Sequence, residues 1–184
     1  MATWTEKLHR SNDLPKIVEI TGRMSRSWGE GSCVVPAPIE VDHLMRQVKR
    51  GRVITSHELR QALAGYHQTD LACPLTTGIF CWIAAHAAVE AEERGERRTT
   101  PWWRTLKSGG ELNPKSPGGL ERQRALLESE GHTIIARGKR LFVEGYEKRL
   151  AKLEATTLAG CLATATESGV VRQSLAGSVV FRSA

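Results

Sequence analysis

The segment between Pro74 and Gly95 constrains the fold more than any other part of the 184-residue sequence. Proline is favoured in the first turn of a helix and glycine just after its end, so this segment predicts one helix from Leu75 to about Arg94. Residues 79–85 are apolar on almost every side of that helix, which predicts that its first half is well buried. We therefore expect other elements to surround it.

Two shorter helices are predicted before this segment. Residues 39–48 carry apolar side chains at the i, i+3, i+4, i+7 spacing of one helix face. Thr55 and Glu58 have the spacing of a capping box, in which the hydroxyl and the carboxylate each accept a hydrogen bond from the backbone of the other residue. A second helix is expected to start there and to end at Gly65.

A helix and a hairpin follow the long segment. Residues 120–130 predict a helix that ends at Gly131, and residues 132–136 and 140–143 have the pattern of two strands joined around Gly138. Helices followed by a hairpin in this order are typical of a winged helix-turn-helix. We predict an α+β fold, mainly helical, with a winged helix-turn-helix core.

The predicted domain covers residues 36–145. Residues 1–35 form an N-terminal extension that begins with a loose arm over 1–15, and residues 146–184 form a C-terminal helix and tail. The end of that tail is rich in Ala, Ser, Thr and Gly, a composition typical of partial disorder.

The charge of the chain favours an anionic partner. Its 26 Lys and Arg exceed its 20 Asp and Glu, for a net charge of +6. Residues 97–152 hold 13 of the basic and only 6 of the acidic residues. Any anion-binding face is expected to use this region, with help from the basic residues between Arg46 and Arg52.

Other classes of site have little support in the sequence. The four cysteines form no C-x-x-C pair and fit no zinc motif, so neither a metal nor a cofactor is expected. No signal peptide and no apolar run of about 18 residues can be recognised. We expect a soluble cytoplasmic protein with reduced thiols and no membrane contact.

Three segments resemble the O6-alkylguanine-DNA alkyltransferase family. Residues 51–65 resemble the strand and first helix of its helix-turn-helix, and residues 100–106 resemble its Pro-Cys-His-Arg-Val active-site strand. Residues 118–132 resemble its Gly-Gly-Leu to Glu-Gly-His helix and are the most specific of the three. The segments occur in the family's order and cover roughly residues 36–135.

The resemblance implies that the family's chemistry is lost. Its cysteine accepts an alkyl group from a flipped-out base, helped by a neighbouring histidine. Trp102 stands at the cysteine position and Trp103 at the histidine position, and an indole offers neither a nucleophile nor a titratable proton. Arg104 and Glu130 match an arginine of the strand and the supporting carboxylate.

Alkyltransferase-like members of the family also carry tryptophan for the cysteine, and they bind alkylated DNA and flag it for repair. The resemblance thus implies a non-enzymatic DNA-binding protein whose partners are double-stranded DNA, alkylated DNA included, and a repair protein. The expected DNA-binding residues are Arg52, Ser56, Thr76, Thr77, Gly78, Lys107, Lys115 and Arg122, and the expected lesion pocket is formed by Trp102, Trp103, Arg104 and Glu130.

The chain departs from the family at three points. Alkyltransferase-like proteins keep the histidine that Trp103 replaces. The tyrosine that rotates the target phosphate matches Ser56, and the arginine that fills the gap left by the base matches Gly78 or Ile79. These departures favour an alternative, a protein-interaction module that kept the fold and lost DNA binding.

A further alternative is an enzyme that uses another nucleophile. Cys73 and Cys81 lie near the start of the long helix, where a cysteine can have a lowered pKa. No general base lies beside either cysteine in the sequence, which disfavours this alternative.

Overall fold

The computed structural model describes residues 2–22 and 25–153. The helices within them are α1 (Trp4–His9), α2 (Ser25–Trp28), α3 (Pro38–Arg46), α4 (Ser56–His67), α5 (Pro74–Glu93) and α6 (Gly119–Ser129), and single 3-10 turns span Trp102–Arg104 and Tyr146–Arg149. The strands are β1 (Lys16–Glu19), β2 (Ser32–Val35), β3 (Ile54–Thr55), β4 (Leu71–Ala72), β5 (Thr105–Leu106), β6 (Ile134–Arg137) and β7 (Arg140–Val143). The mixed, mainly helical class is confirmed, while the winged helix-turn-helix stays a prediction.

The strands form three small sheets. In the first, β2 lies between β1, its antiparallel neighbour, and β4, its parallel neighbour. In the second, β3 and β5 pair in parallel, and in the third, β6 and β7 form the predicted antiparallel hairpin. The β3–β5 pair matters most for the site, because the residues that follow both strands lie side by side.

Helix α5 lies at the centre of the helical part, with α1, α3 and α4 packed against it. Its second half is buried through small alanines between positions 84 and 88, which allow the neighbouring helices to approach closely. The expectation of a buried first half is wrong: the side chains of Leu75 and Ile79 are 68% and 44% exposed. Apolar composition alone could not reveal that the neighbouring helices leave these turns open.

The expected loose arm at the N-terminus is also a helix. Thr3 and Glu6 form a capping box at the start of α1. The carboxylate of Glu90 on α5 accepts hydrogen bonds from the backbone N–H groups of Trp4 and Thr5 at 3.3 and 2.8 Å. The capping box and the long-range contact with α5 together stabilise a segment whose polar composition suggested a loose arm.

Local signals placed most helix boundaries correctly. Helix α4 starts after the capping box of Thr55 and Glu58 as predicted, and Gly131, with φ +84°, follows α6. Gly65 does not end α4: the helix continues to His67, and Gln68 adopts the left-handed conformation instead. The ring of His67 contacts the buried carboxylate of Glu40 at 3.0 Å, which holds this extra turn in place.

Two further expectations need correction. The β-leaning segment 102–106 forms a 3-10 turn before the short strand β5, and the helix expected from Tyr146 is a single 3-10 turn that ends at Arg149. The part of the predicted tail from residue 154 onward lies outside the described residues. Among the described helices, none combines the length and the apolarity that crossing a bilayer requires.

Candidate functional site

A cavity of about 140 Å³ opens beside the first turns of α5. Its walls come from the start of α4, from α5, from the 3-10 turn and β5, and from the loop that precedes α6. The residues that line it include Met45, Ser56, Gly78, Cys81, Trp82, Trp102, Thr105, Lys107, Asn113 and Ser116. Ser56, Gly78, Trp102 and Lys107, which the sequence assigned to DNA or lesion contact, thus meet at one place.

Two lining residues carry buried polar atoms that lack a partner. The indole nitrogen of Trp102 and the hydroxyl of Thr105 are buried and make no hydrogen bond within the described residues. Trp102 itself is only 2% exposed. An unpaired buried donor carries a free-energy cost of about 1–3 kcal/mol.

Gln123 on α6 fixes the backbone around the cavity. Its amide nitrogen donates to the carbonyl oxygens of Trp103 and Thr105, both at 3.1 Å, and its amide oxygen accepts from the N–H of Asn113 at 2.9 Å. The side chain is fully buried. One glutamine therefore ties the Trp102 segment to the loop on the other side of the cavity.

A wider apolar groove continues from the cavity to the surface. It has a volume of about 610 Å³ and shares Pro74, Gly78, Trp82 and Asn113 with the cavity. The remaining lining residues are Leu75, Ile79 and Lys115. The groove therefore places the two exposed apolar side chains of α5 beside a lysine that makes no ion pair with any described residue.

The other two cations expected here are already paired. Lys107 lines the cavity, but its ammonium lies 2.7 Å from a carboxylate oxygen of Glu111. Arg122 pairs with Glu92 at 2.9 Å, and its guanidinium carbon lies 5.6 Å from the centre of the Trp102 ring. Arg122 therefore covers an indole face, and much of the positive charge near the cavity is already neutralised.

The cavity is not lined by Trp103, Arg104 or Glu130, although the resemblance had implied that all three belong to the lesion pocket. The indole N–H of Trp103 donates to Glu130 at 2.9 Å, and the guanidinium of Arg104 meets the same carboxylate at 2.7 Å. The backbone N–H of Gly51 donates to it as well. Burial raises the pKa of Glu130, but the hydrogen bonds from Arg104, Gly51 and Trp103 together outweigh burial and hold it below its ordinary value. These residues form a structural network that joins the end of α6 to β3 and β5.

The side chains of Thr76 and Thr77 are not free to contact DNA, although the sequence had predicted that both would. Thr77 lies on the inward face of α5 and is fully buried, so it cannot touch a surface ligand. The half-buried Thr76 has its hydroxyl turned back to the carbonyl oxygen of Cys73, at 3.4 Å. Of the three residues expected at the start of this helix, only Gly78 lines the cavity.

Arg52 is separated from Ser56 by strand β3. Arg52 precedes the strand and Ser56 follows it, so the two lie at opposite ends of the β3–β5 sheet. Only Ser56 lines the cavity, where its hydroxyl lies 3.2 Å from that of Ser108. Arg52 therefore does not line the cavity, and its expected contact with DNA stays a prediction.

The sequence suggested Cys81 only as an alternative nucleophile and did not predict that Cys81 and Trp82 line this cavity. They follow Gly78 by three and four positions, the spacing that puts side chains on one helix face, so the signal was present. Burial raises the pKa of the Cys81 thiol to about 12. A thiol therefore does line the cavity, but it is held in the protonated, unreactive form.

Comparisons with known proteins add little to this description. No family model matches the sequence, and no curated protein matches it. Among solved structures, the chain is similar to S. pombe Atl1, crystallised with damaged DNA that contains O6-carboxymethylguanine. The two share 20% identity over 63% of this chain and 94% of that one, with a TM-score of 0.42, which is too low to establish a common fold.

Proposed function

We propose that this protein binds duplex DNA without acting on it chemically, and that the cavity beside Trp102 receives part of an alkylated guanine. The observation that carries the proposal is Trp102 itself. An indole with an unpaired N–H lines the cavity, at the sequence position where the resemblance places the alkyl-accepting thiol.

The shape and polarity of the site support an aromatic occupant. A cavity of about 150 Å³ can hold one benzene ring, so the inner space of about 140 Å³ suits a single ring or its substituent. The outer groove offers room for the rest of a nucleotide. Guanine carries acceptors at O6 and N7, to which the indole N–H of Trp102 would donate.

Two features support a non-enzymatic role. The indoles of Trp102 and Trp103 have no nucleophile, and Trp103 already donates its N–H to Glu130. The cavity's own thiol, Cys81, has a pKa of about 12, so its reactive thiolate is scarce at neutral pH.

The test is a fluorescence anisotropy titration with labelled duplexes that differ by one O6-methylguanine, at low and high salt. Trp102→Phe keeps an aromatic ring and removes the N–H. One hydrogen bond contributes about 0.5–1.5 kcal/mol, so this variant should lose roughly twofold to tenfold in its preference for the lesion. Trp28→Phe, a substitution in α2, is the matched control. Absence of binding at low salt would refute the proposal, as would a Trp102→Phe variant that keeps the full preference.

The exposed side chains of Leu75 and Ile79 favour a second candidate, a protein-interaction module. Apolar groups exposed in a groove are typical of surfaces that bind other proteins. In that case, DNA titrations stay flat, and a protein partner co-purifies after nuclease treatment. The substitutions Leu75→Glu and Ile79→Glu should then abolish the co-purification.

A further inference from the structure

A second cleft opens at the end of the β3–β5 sheet away from the cavity. Its volume is about 290 Å³, and it is lined by Gln47, Lys49, Arg52, Leu150, Ala151 and Lys152. We refer to it as the basic cleft, because three of its lining residues are cations and none is an acid. Nothing in the site described above uses it.

Backbone contacts hold the two sides of the basic cleft together. The N–H of Val53 donates to the carbonyl oxygen of Arg149 at 3.0 Å, and the N–H of Ala151 donates to that of Val53 at 2.8 Å. The guanidinium of Arg52 reaches the carbonyl oxygen of Lys148 at 3.3 Å. The cations of the cleft therefore lie on two segments, 49–53 and 148–152, that backbone hydrogen bonds hold together.

The positive charge at the cleft is concentrated and unpaired. Segments 49–52 and 147–152 contain one acidic residue, Glu147, against six cations: Lys49, Arg50, Arg52, Lys148, Arg149 and Lys152. All six are exposed, and none forms a salt bridge with another described residue. Lys107 and Arg122 at the cavity, by contrast, are paired with Glu111 and Glu92.

Gln47 adds an unused donor to the wall of the cleft. Its amide nitrogen is buried and has no hydrogen-bond partner among the described residues. Cations beside an amide N–H make up the donor set that proteins use for phosphate oxygens. A carboxylate-rich wall, which would suit a metal or a cationic partner, is absent from the residues that line the cleft.

We propose that the basic cleft binds the phosphodiester backbone of a nucleic acid, as a site separate from the Trp102 cavity. Three cations line the cleft and three more lie on the segments that flank it, which exceeds what one phosphate requires and suits a chain of phosphates. Arg52 lines the cleft and Ser56 lines the cavity, on either side of β3, and no residue lines both. The site goes beyond the function proposed above, because undamaged backbone is sufficient to occupy it.

The test measures the binding of undamaged duplex at several salt concentrations. Each phosphate contact contributes about −0.9 to the slope of log K against log salt. Lys49→Gln with Lys152→Gln should therefore reduce the magnitude of that slope by about 2 and weaken binding at low salt. This pair leaves Arg52, which bonds to the backbone, in place. The control variant, Arg10→Gln with Lys16→Gln, removes the same charge away from the cleft. Its slope should stay within about 0.5 of the slope measured for the unaltered protein.

The outcomes separate the two proposals. An unchanged slope in the Lys49 and Lys152 variant, with Trp102→Phe still losing its lesion preference, overturns the basic cleft and leaves the cavity proposal intact. A reduced slope with no lesion preference in any variant supports the cleft and refutes the cavity. A competition experiment gives the last outcome. Inorganic phosphate at the same concentration as the DNA phosphates, or polyglutamate, is added to the bound duplex. If either one displaces the duplex from the unaltered protein but not from the Lys49 and Lys152 variant, the cleft is a general anion site and the backbone proposal is overturned.

Discussion

Trp4 meets Trp82 edge to face, with their ring centroids 4.6 Å apart and their planes at 87°. The ring of His86 stacks on Trp4 at 4.6 Å and also meets Trp82 at 4.7 Å, so the three rings contact one another. Because Trp82 also lines the cavity, helix α1 braces a wall of the candidate site. A segment that the sequence suggested to be a loose arm thus takes part in positioning the site.

We expect Trp4→Ala to lower the free energy of unfolding by about 2–3 kcal/mol, since it removes a half-buried indole and two ring contacts. Trp4→Phe should cost less than half as much, because a smaller ring can still contact Trp82. Equilibrium unfolding in urea measures both values. A loss below about 0.5 kcal/mol for Trp4→Ala would mean that α1 does not brace the helix.

The network around Glu130 should be far more sensitive than a surface ion pair on the same helix. Glu130→Gln leaves the guanidinium of Arg104, whose side chain is only 13% exposed, without its counter-charge. Breaking a buried ion pair lowers the free energy of unfolding by about 3–5 kcal/mol. Because the amide of the new glutamine can keep some of the hydrogen bonds, we expect a loss of about 3 kcal/mol for Glu130→Gln.

Glu128→Gln is the matched control for that substitution. Glu128 pairs with Arg124, and both side chains are more than 40% exposed. Exposed pairs contribute about 0–1 kcal/mol, so thermal and urea unfolding should barely change. Equal losses in the two variants would contradict a structural role for the Trp103, Arg104 and Glu130 network.

The sequence predicted those elements of the fold that depend on local signals. The capping box of Thr55 and Glu58, the start of α5 at Pro74 and the hairpin turn at Gly138 all follow from residues within a few positions of one another. The capping box of Thr3 and Glu6 is the same kind of signal and could have revealed α1.

What the sequence could not show depends on contacts between distant segments. Trp103 and Glu130 are 27 positions apart, and nothing local indicates that the indole bonds to that carboxylate. The burial of Thr77 and the exposure of Leu75 likewise depend on where neighbouring helices end. Trp102 could be placed beside Ser56 only through the family resemblance, because β3 and β5 pair across some fifty residues.

Cys81 should not accept an alkyl group, although its thiol lines the cavity. With a pKa of about 12, its thiolate fraction at pH 7.5 is on the order of 10⁻⁴ to 10⁻⁵. A duplex that carries a labelled O6-methylguanine should leave no label on the protein after hours of incubation. Label on the wild-type chain that Cys81→Ser removes would show instead that the protein is an alkyltransferase with a relocated nucleophile.

Glu111 should make the protein more stable above pH 4.5 than below it. The guanidinium of Arg140 and then the ammonium of Lys107 hold the pKa of its carboxyl down from 4.5 to about 2, against the opposing effect of burial. Because the pKa is lower in the folded state, the stabilisation is complete above the unfolded value and is lost as the pH falls from about 4.5 to 2. Both cations are about half exposed, so water screens the interaction and we expect about 1–2 kcal/mol.

Glu111→Gln should therefore unfold at lower urea concentration than the unaltered protein at pH 7, and the difference should shrink between pH 4.5 and pH 3. Glu144→Gln, which alters an exposed carboxylate just after β7, should leave the urea midpoint unchanged at both pH values. A difference between Glu111→Gln and the unaltered protein that stays constant down to pH 3 would mean that the carboxylate acts through packing. In that case, ion pairing with Arg140 and Lys107 would not be the source of its stabilising effect.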